Sequence, residues 1–145
     1  MTETSHYHSD GPADTDQIGE QIAAQIRFPS CIYLVGEMAA GKTTLCKSII
    51  RSLGVSETVT SPTYNLVHEY PAGQHTIYHL DLYRLNDPEE LSYLALADLW
   101  TENSLFLVEW PDRGTGYLPP ATHIIELQKG VDKTSESREI RYSAC

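Results

Sequence analysis

Three elements follow one another between Cys31 and Leu53, and together they restrict the fold more than any other part of the chain. Cys31-Ile32-Tyr33-Leu34-Val35 is short, apolar and partly β-branched, which predicts a buried strand. Gly36-Glu37-Met38-Ala39-Ala40-Gly41-Lys42-Thr43 then matches G-x-x-x-x-G-K-[ST], a loop whose backbone N–H groups turn inward around an anion. From Lys42 onward Leu45, Ile49, Ile50 and Leu53 recur at helical spacing, and Gly54 supplies a stop. A helix entered from such a loop presents the positive end of its dipole to bound phosphates, so the segment predicts nucleotide binding within an α/β fold. In that arrangement Lys42 reaches the terminal phosphates and the Thr43 hydroxyl takes a magnesium ion.

Charge narrows how such a chain meets other molecules. Ten basic residues face twenty acidic ones, for a formal net charge of −10, and the basic residues do not cluster. A protein that grips nucleic acid unaided needs a basic stripe to displace counterions, so tight direct RNA or DNA binding is not expected. The triphosphate must be held locally by Lys42, the helix terminus, backbone amides and Mg²⁺, against an unfavourable field.

At 145 residues the chain predicts one domain, over residues 13–145, after a loose polar tail at 1–12. No run approaches the ~20 apolar residues of a membrane span. Cys31, Cys46 and Cys145 stand in no paired spacing, as expected of free thiols in a cytoplasmic protein.

Asp14 to Arg27 carries Ile18, Ile22 and Ile26 at intervals of four and predicts a helix. Tyr64 to Tyr70 and Thr76 to Leu82 flank a Pro/Gly turn and predict a hairpin. Asp87, Pro88, Glu89 and Glu90 form a cap, a first-position proline and an acidic first turn, predicting a helix to about Trp100. Ser104 to Glu109 predicts a buried strand ending in an acid, and His123 to Gln128 and Glu139 to Tyr142 predict the last strands. The expected fold is α/β of the P-loop NTPase kind. Its mixed sheet is parallel near the phosphate loop, gains antiparallel strands farther out, and is flanked by helices.

A phosphate-loop enzyme needs a further carboxylate for the metal or the attacking water, usually at the end of a buried strand. Asp81 and Glu109 both stand in that position, one to hold the metal and the other to orient water, and the residues alone do not rank them. Thr63, after Ser61-Pro62, is placed to close on a γ-phosphate as switch threonines do. His79 lacks a second histidine at ligand spacing, so its default reading is a strand histidine with a satisfied partner. Trp110 is either partial core or a ring near the nucleotide.

These residues, in this order, resemble the TsaE (YjeE) family of bacterial tRNA-modification ATPases. The resemblance rests on Gly36 to Thr44, Ser61-Pro62-Thr63-Tyr64 and His79-Leu80-Asp81-Leu82-Tyr83-Arg84-Leu85. Asp87-Pro88-Glu89-Glu90-Leu91, Glu109-Trp110-Pro111 and Leu118-Pro119 extend it. The phosphate loop is common to many NTPases, whereas S-P-T-Y, H-x-D-x-Y-R and E-W-P at these separations are specific. The resemblance implies an ATPase that acts with TsaB and TsaD to install threonylcarbamoyl beside the tRNA anticodon. By position it also implies phosphate contact for Lys42, magnesium ligation by Thr43 and Glu109, and acid and switch roles for Asp81 and Thr63. Asp81 is carried as a further metal contact. Residues 36–44 then bind ATP together with Trp110, Thr15 and Lys133. One departure stands out: the family commonly has glycine where this chain has Ala39.

A small-molecule or nucleoside kinase is the rival reading, but a kinase lid brings several arginines onto the transferred phosphate and the six here are scattered. No N-K-x-D segment reads guanine and no L-S-G-G-Q run marks a transporter ATPase. A nucleotide-gated binding module is the non-enzymatic alternative. Slow turnover alone and faster turnover in complex are expected.

Overall fold

The computed structural model describes residues 4–37, 40–55, 66–130 and 136–145. A seven-stranded mixed sheet runs through the molecule in the order β1-β7-β6-β2-β5-β4-β3. Its strands are β1 (Thr4–Ser9), β2 (Ser30–Val35), β3 (Val67–Ala72), β4 (His75–Asp81), β5 (Ser104–Glu109), β6 (His123–Lys129) and β7 (Arg138–Ala144). The helices are α1 (Pro12–Gln25), α2 (Lys42–Ser52) and a single turn, α3 (Leu96–Leu99). The centre is parallel, β2 lying between β5 and β6 with β4 parallel to β5. The pairs β3–β4, β6–β7 and β1–β7 are antiparallel. This is the mixed α/β arrangement the sequence predicts.

Strand alternation builds two cores from one sheet. Along β5, Leu105 and Leu107 join Ile32 and Leu34 of β2 against α1 and α2 residues such as Ile22, Leu45 and Ile49. Phe106 and Val108 face the other way, with Tyr78 and Leu80 of β4, onto Leu82, Leu91 and Leu96. Every residue of β5 is buried, and between Ser104 and Glu109 the strand is apolar on both faces, as a central parallel strand should be.

Helices α1 and α2 approach so closely that Gly19 has no room for a side chain. A Cβ there would lie 2.2 Å from Ser48 Oγ and 2.5 Å from Ser48 Cβ. Ser48 is tied in turn to α1, its hydroxyl donating to the Asp16 carbonyl at 2.5 Å. Gly19→Ala is expected to destabilise the protein by about 1–3 kcal/mol through overpacking, outweighing alanine's better helix propensity. Urea denaturation measures this; an unchanged midpoint would mean that the helices part freely.

Two expectations need correction. Residues 1–12 do not form a loose tail throughout: Thr4–Ser9 is an edge strand registered on β7 from Thr4↔Ser143 to Ser9↔Arg138. The reason is a period-two pattern hidden among polar residues, in which Tyr7 packs on the core and Ser9 is buried while His6 and His8 face outward. The single helix expected to about Trp100 is instead a 3₁₀ helix, Pro88–Leu94, followed by α3. Asp87 caps it as predicted, accepting from the Glu89 N–H at 3.0 Å. The break falls at Ala95, whose φ of 48° is left-handed. Leu91 and Leu94, three apart, both pack on the core that holds Phe106 and Val108, a spacing that suits three residues per turn.

His8 fastens the edge strand through two carboxylates. Its Nδ1 is 2.6 Å from Glu139 Oε1 and its Nε2 2.7 Å from Asp10 Oδ1. The hydrogen bond to Glu139, then that to Asp10, raises its pKa above the ordinary 6.5. A raised histidine pKa stabilises the fold fully below the unfolded value and less as pH climbs through the folded one. Amide exchange in β1 is therefore expected to quicken relative to β5 as pH rises past 6.5 into that window, after correction for intrinsic rates. A pH-independent ratio would dismiss the clasp.

Candidate functional site

The parallel centre of the sheet and the start of α2 meet at a cleft of about 340 Å³ lined by residues 40–44 with Asp81, Tyr83, Glu109 and Trp110. Strand β2 ends at Val35, and the chain re-enters regular structure at Gly41, whose φ of 100° is left-handed and favours glycine. Among the described residues no side chain caps α2. Its first amides thus remain available to an anion, beside the positive end of an eleven-residue helix.

Lys42 is only 5% exposed. Its Nζ donates to the Gly36 carbonyl, makes a longer bond of 3.4 Å to that of Glu37, and lies 3.6 Å from the centre of the Trp110 ring. Burial lowers its pKa, opposed by the negative charges of Glu109, Asp81 and Asp112. A cation held by neutral carbonyls and an aromatic face is electrostatically under-compensated, and a phosphate is the natural replacement for those carbonyls.

Trp110 reaches that position through backbone strain. Its φ of 58° and ψ of 52° are left-handed, where a bulky aromatic is a genuine outlier. The turn directs the ring back over Lys42 and within 5.2 Å of the Tyr83 ring centre.

Glu109 is 2% exposed and divides its oxygens between two donors. Oε1 accepts from Thr43 Oγ1 at 2.9 Å, and Oε2 lies 2.6 Å from His79 Nε2. Asp81 sits directly opposite Glu109 in the β4–β5 register. Its Oδ1 accepts from the Tyr83 N–H at 3.2 Å. Burial, then the neighbouring Glu109 charge, raises the Asp81 pKa above its ordinary 3.8. Thr43, Glu109 and Asp81 present only oxygen donors to the cleft, the set a hard divalent cation such as magnesium prefers. Cys46 Sγ also lies within 4.8 Å of ligand atoms of His79 and Glu109. Burial pushes its thiol well above the ordinary value, so at neutral pH it offers magnesium no thiolate.

Of the residues predicted from sequence, Ala40, Gly41, Lys42, Thr43, Thr44, Asp81, Glu109 and Trp110 converge on the cleft. Gly36 and Glu37 contribute carbonyls to Lys42. Thr15 does not line the cleft: it is buried in α1 with its hydroxyl 2.7 Å from that of Ser9. Met38, Ala39, Thr63 and Lys133 lie outside the described residues. Two participants escaped the sequence reading, the contact of His79 with Glu109 and the place of Tyr83 in the wall. Alternation carried the signal for His79. Ile77 shares the α2 side of the sheet with Leu105 and Leu107, so His79, Asp81 and Glu109 fall on that face two residues at a time.

The chain is also similar to known proteins. A family model described as "Threonylcarbamoyl adenosine biosynthesis protein TsaE" matches residues 9–140. The tRNA threonylcarbamoyladenosine biosynthesis protein TsaE of Haemophilus influenzae is 41% identical over 113 residues, covering 78% of this chain and 69% of that one. The protein of the same name from Synechocystis is 43% identical over 103 residues, 68% of this chain and 65% of its own. That from Nostoc is 36% identical over 137 residues, 90% and 82%. Among solved structures, Bacillus subtilis YdiB superposes with a TM-score of 0.76 at 26% identity, covering 99% of this chain and 87% of that one.

Proposed function

This chain belongs to the TsaE family of threonylcarbamoyl adenosine biosynthesis proteins, and from that premise we propose that it binds and hydrolyses Mg·ATP to drive a cycle of the TsaB–TsaD complex. The observation that carries the reading is the meeting of Thr43 and Glu109 at 2.9 Å, at the mouth of a phosphate loop whose lysine is tied, among the described residues, to replaceable carbonyls and an aromatic ring. Among the described residues no helix is long and apolar enough to cross a membrane. The cytoplasm is the proposed place of action.

The residues divide the work by position. The uncapped amides of α2 and the Lys42 ammonium receive the β- and γ-phosphates, Lys42 exchanging carbonyl partners for phosphate oxygens. Thr43 and Glu109 would hold magnesium, with Asp81 as a further contact directly or through water; the ion, when bound, withdraws charge from the phosphates. Asp81 would also orient and deprotonate the attacking water, a task suited by a carboxylate whose pKa burial has raised. Trp110 and Tyr83 form the aromatic wall, and Lys42 is pinned by the Trp110 face until phosphate arrives. Thr63 is assigned the switch role and Lys133 a nucleotide contact on family position alone; Thr15, buried against Ser9 away from the cleft, is assigned none.

Among the described residues lining the cleft there is no arginine. A transition-state arginine supplied by a partner is worth ~10³–10⁵ in rate in other NTPases. Hydrolysis is accordingly expected to be slow for the chain alone and faster with TsaB and TsaD, and the net charge of −10 leaves the tRNA to those partners. Phosphate release measured with and without the pair tests this. Equal rates would remove the partner-driven cycle, and a phosphorylated small-molecule product would favour the kinase alternative.

A further inference from the structure

Resting on the Mg·ATP reading, a second inference concerns His79, which is fully buried on β4 two residues before Asp81. Its Nε2 lies 2.6 Å from Glu109 Oε2, while the other oxygen of that carboxylate takes the Thr43 hydroxyl. A carboxylate oxygen at that distance requires hydrogen on Nε2. On the far side of the ring Nδ1 has no hydrogen-bond partner among the described residues. A proton there would be buried without an acceptor, so geometry favours the tautomer that carries its hydrogen on Nε2 alone. Leaving a buried ring nitrogen unpaired has a cost that an aliphatic side chain in this strand would avoid. What the imidazole supplies in return is one directed N–H to Glu109.

We propose that His79 is a positioning residue: its Nε2–H locks one oxygen of Glu109 and thereby aims the other at Thr43 and the magnesium position. A carboxylate with both oxygens free would rotate or chelate in two-oxygen fashion, and the locked one offers a single ligand in a fixed direction. Outer hydrogen bonds of this kind are worth about 10–100-fold in metal affinity.

The test uses the full chain with manganese as the paramagnetic probe and a non-hydrolysable ATP analogue. His79→Phe keeps a flat ring but removes the donor, and His79→Gln restores an N–H at similar reach. Expected are a loss of manganese affinity of about 10–100-fold for His79→Phe, unchanged nucleotide affinity in EDTA, and recovery of most of the loss in His79→Gln. A Phe variant that holds manganese like the wild type, or that loses metal and metal-free nucleotide binding together, overturns the proposal. So does a folded Gln variant that recovers nothing. Nitrogen-15 imidazole spectra of the wild-type chain decide the matter if neither variant folds: hydrogen on Nε2 supports the proposal, and hydrogen on Nδ1 overturns it. A wild-type chain that binds no manganese·nucleotide defeats the Mg·ATP reading instead, and the imidazole spectra still judge the hydrogen bond.

Discussion

Lys42→Ala is expected to lower ATP hydrolysis by at least about 10²-fold while leaving the protein folded. The two halves of that expectation have separate causes. Stability survives because, among the described residues, the ammonium bonds to carbonyls of its own loop, Gly36 and Glu37, at the mouth of a cleft where water can replace it. Function fails because Lys42 is the one lysine or arginine among the described residues that line the cleft. A charge-assisted hydrogen bond to phosphate is worth about 1.5–3 kcal/mol in affinity, and more where charge develops in a site that excludes water. Lys42→Met separates the parts further, since its stem still covers the Trp110 ring. It should unfold like the wild type in urea and hydrolyse as poorly as the alanine variant. Undiminished turnover in either variant would mean that the phosphates bind elsewhere.

The phosphate loop was legible because its chemistry is local. A strand, a glycine turn and a helix are contiguous in sequence, and each position has one dominant requirement. Asp81 and Glu109 were legible as strand-end acids, but their roles were not. Those depend on the β4–β5 register that sets them side by side, which is a long-range fact. His79 was legible as a strand histidine with a partner, but which partner was not, because Glu109 lies thirty residues away. Trp110 could be placed near the nucleotide by family position, whereas its left-handed backbone has no signature in composition. At the amino terminus polarity misled. Thr4 to Ser9 reads as solvated tail because β1 needs only Tyr7 and Ser9 turned inward, with β7 supplying the hydrogen bonds. The stretch after Asp87 was read as one continuous helix because capping signals are the same for 3₁₀ and α turns and do not show the break at Ala95.

The same long-range contacts explain how an acidic chain manages a polyanion. The carboxylates nearest the phosphate position are engaged: Glu109 by Thr43 and His79, and Asp81 by the Tyr83 amide. Their charge still acts on Lys42, keeping its ammonium form favoured against burial. Thus the acids that would repel a bare triphosphate also keep the lysine charged and await a divalent cation. On the Mg·ATP proposal, metal dependence would follow from this charge balance.

Glu109→Gln isolates that charge from the shape that carries it. The amide is almost isosteric with the carboxylate, its oxygen can accept from His79 Nε2–H and its NH₂ can meet the Thr43 hydroxyl oxygen. Unfolding free energy is expected within about 1 kcal/mol of wild type, because hydrogen bonds are exchanged rather than lost. Hydrolysis should fall by about 10²-fold or more, since the site loses its buried anionic oxygen ligand. Nucleotide binding in EDTA should hold or improve, because a negative charge close to the phosphates has gone. Glu109→Ala provides the contrast. It leaves the His79 donor, in a position with no exposure, without an acceptor, at a cost of about 1–3 kcal/mol before the cavity is counted. Parallel urea titrations and phosphate-release assays distinguish the variants. If Glu109→Gln hydrolyses ATP at the wild-type rate, the metal is held by other groups and Asp81 becomes its principal ligand. If it is as unstable as Glu109→Ala, the charge of Glu109 is needed for folding as well as for the metal.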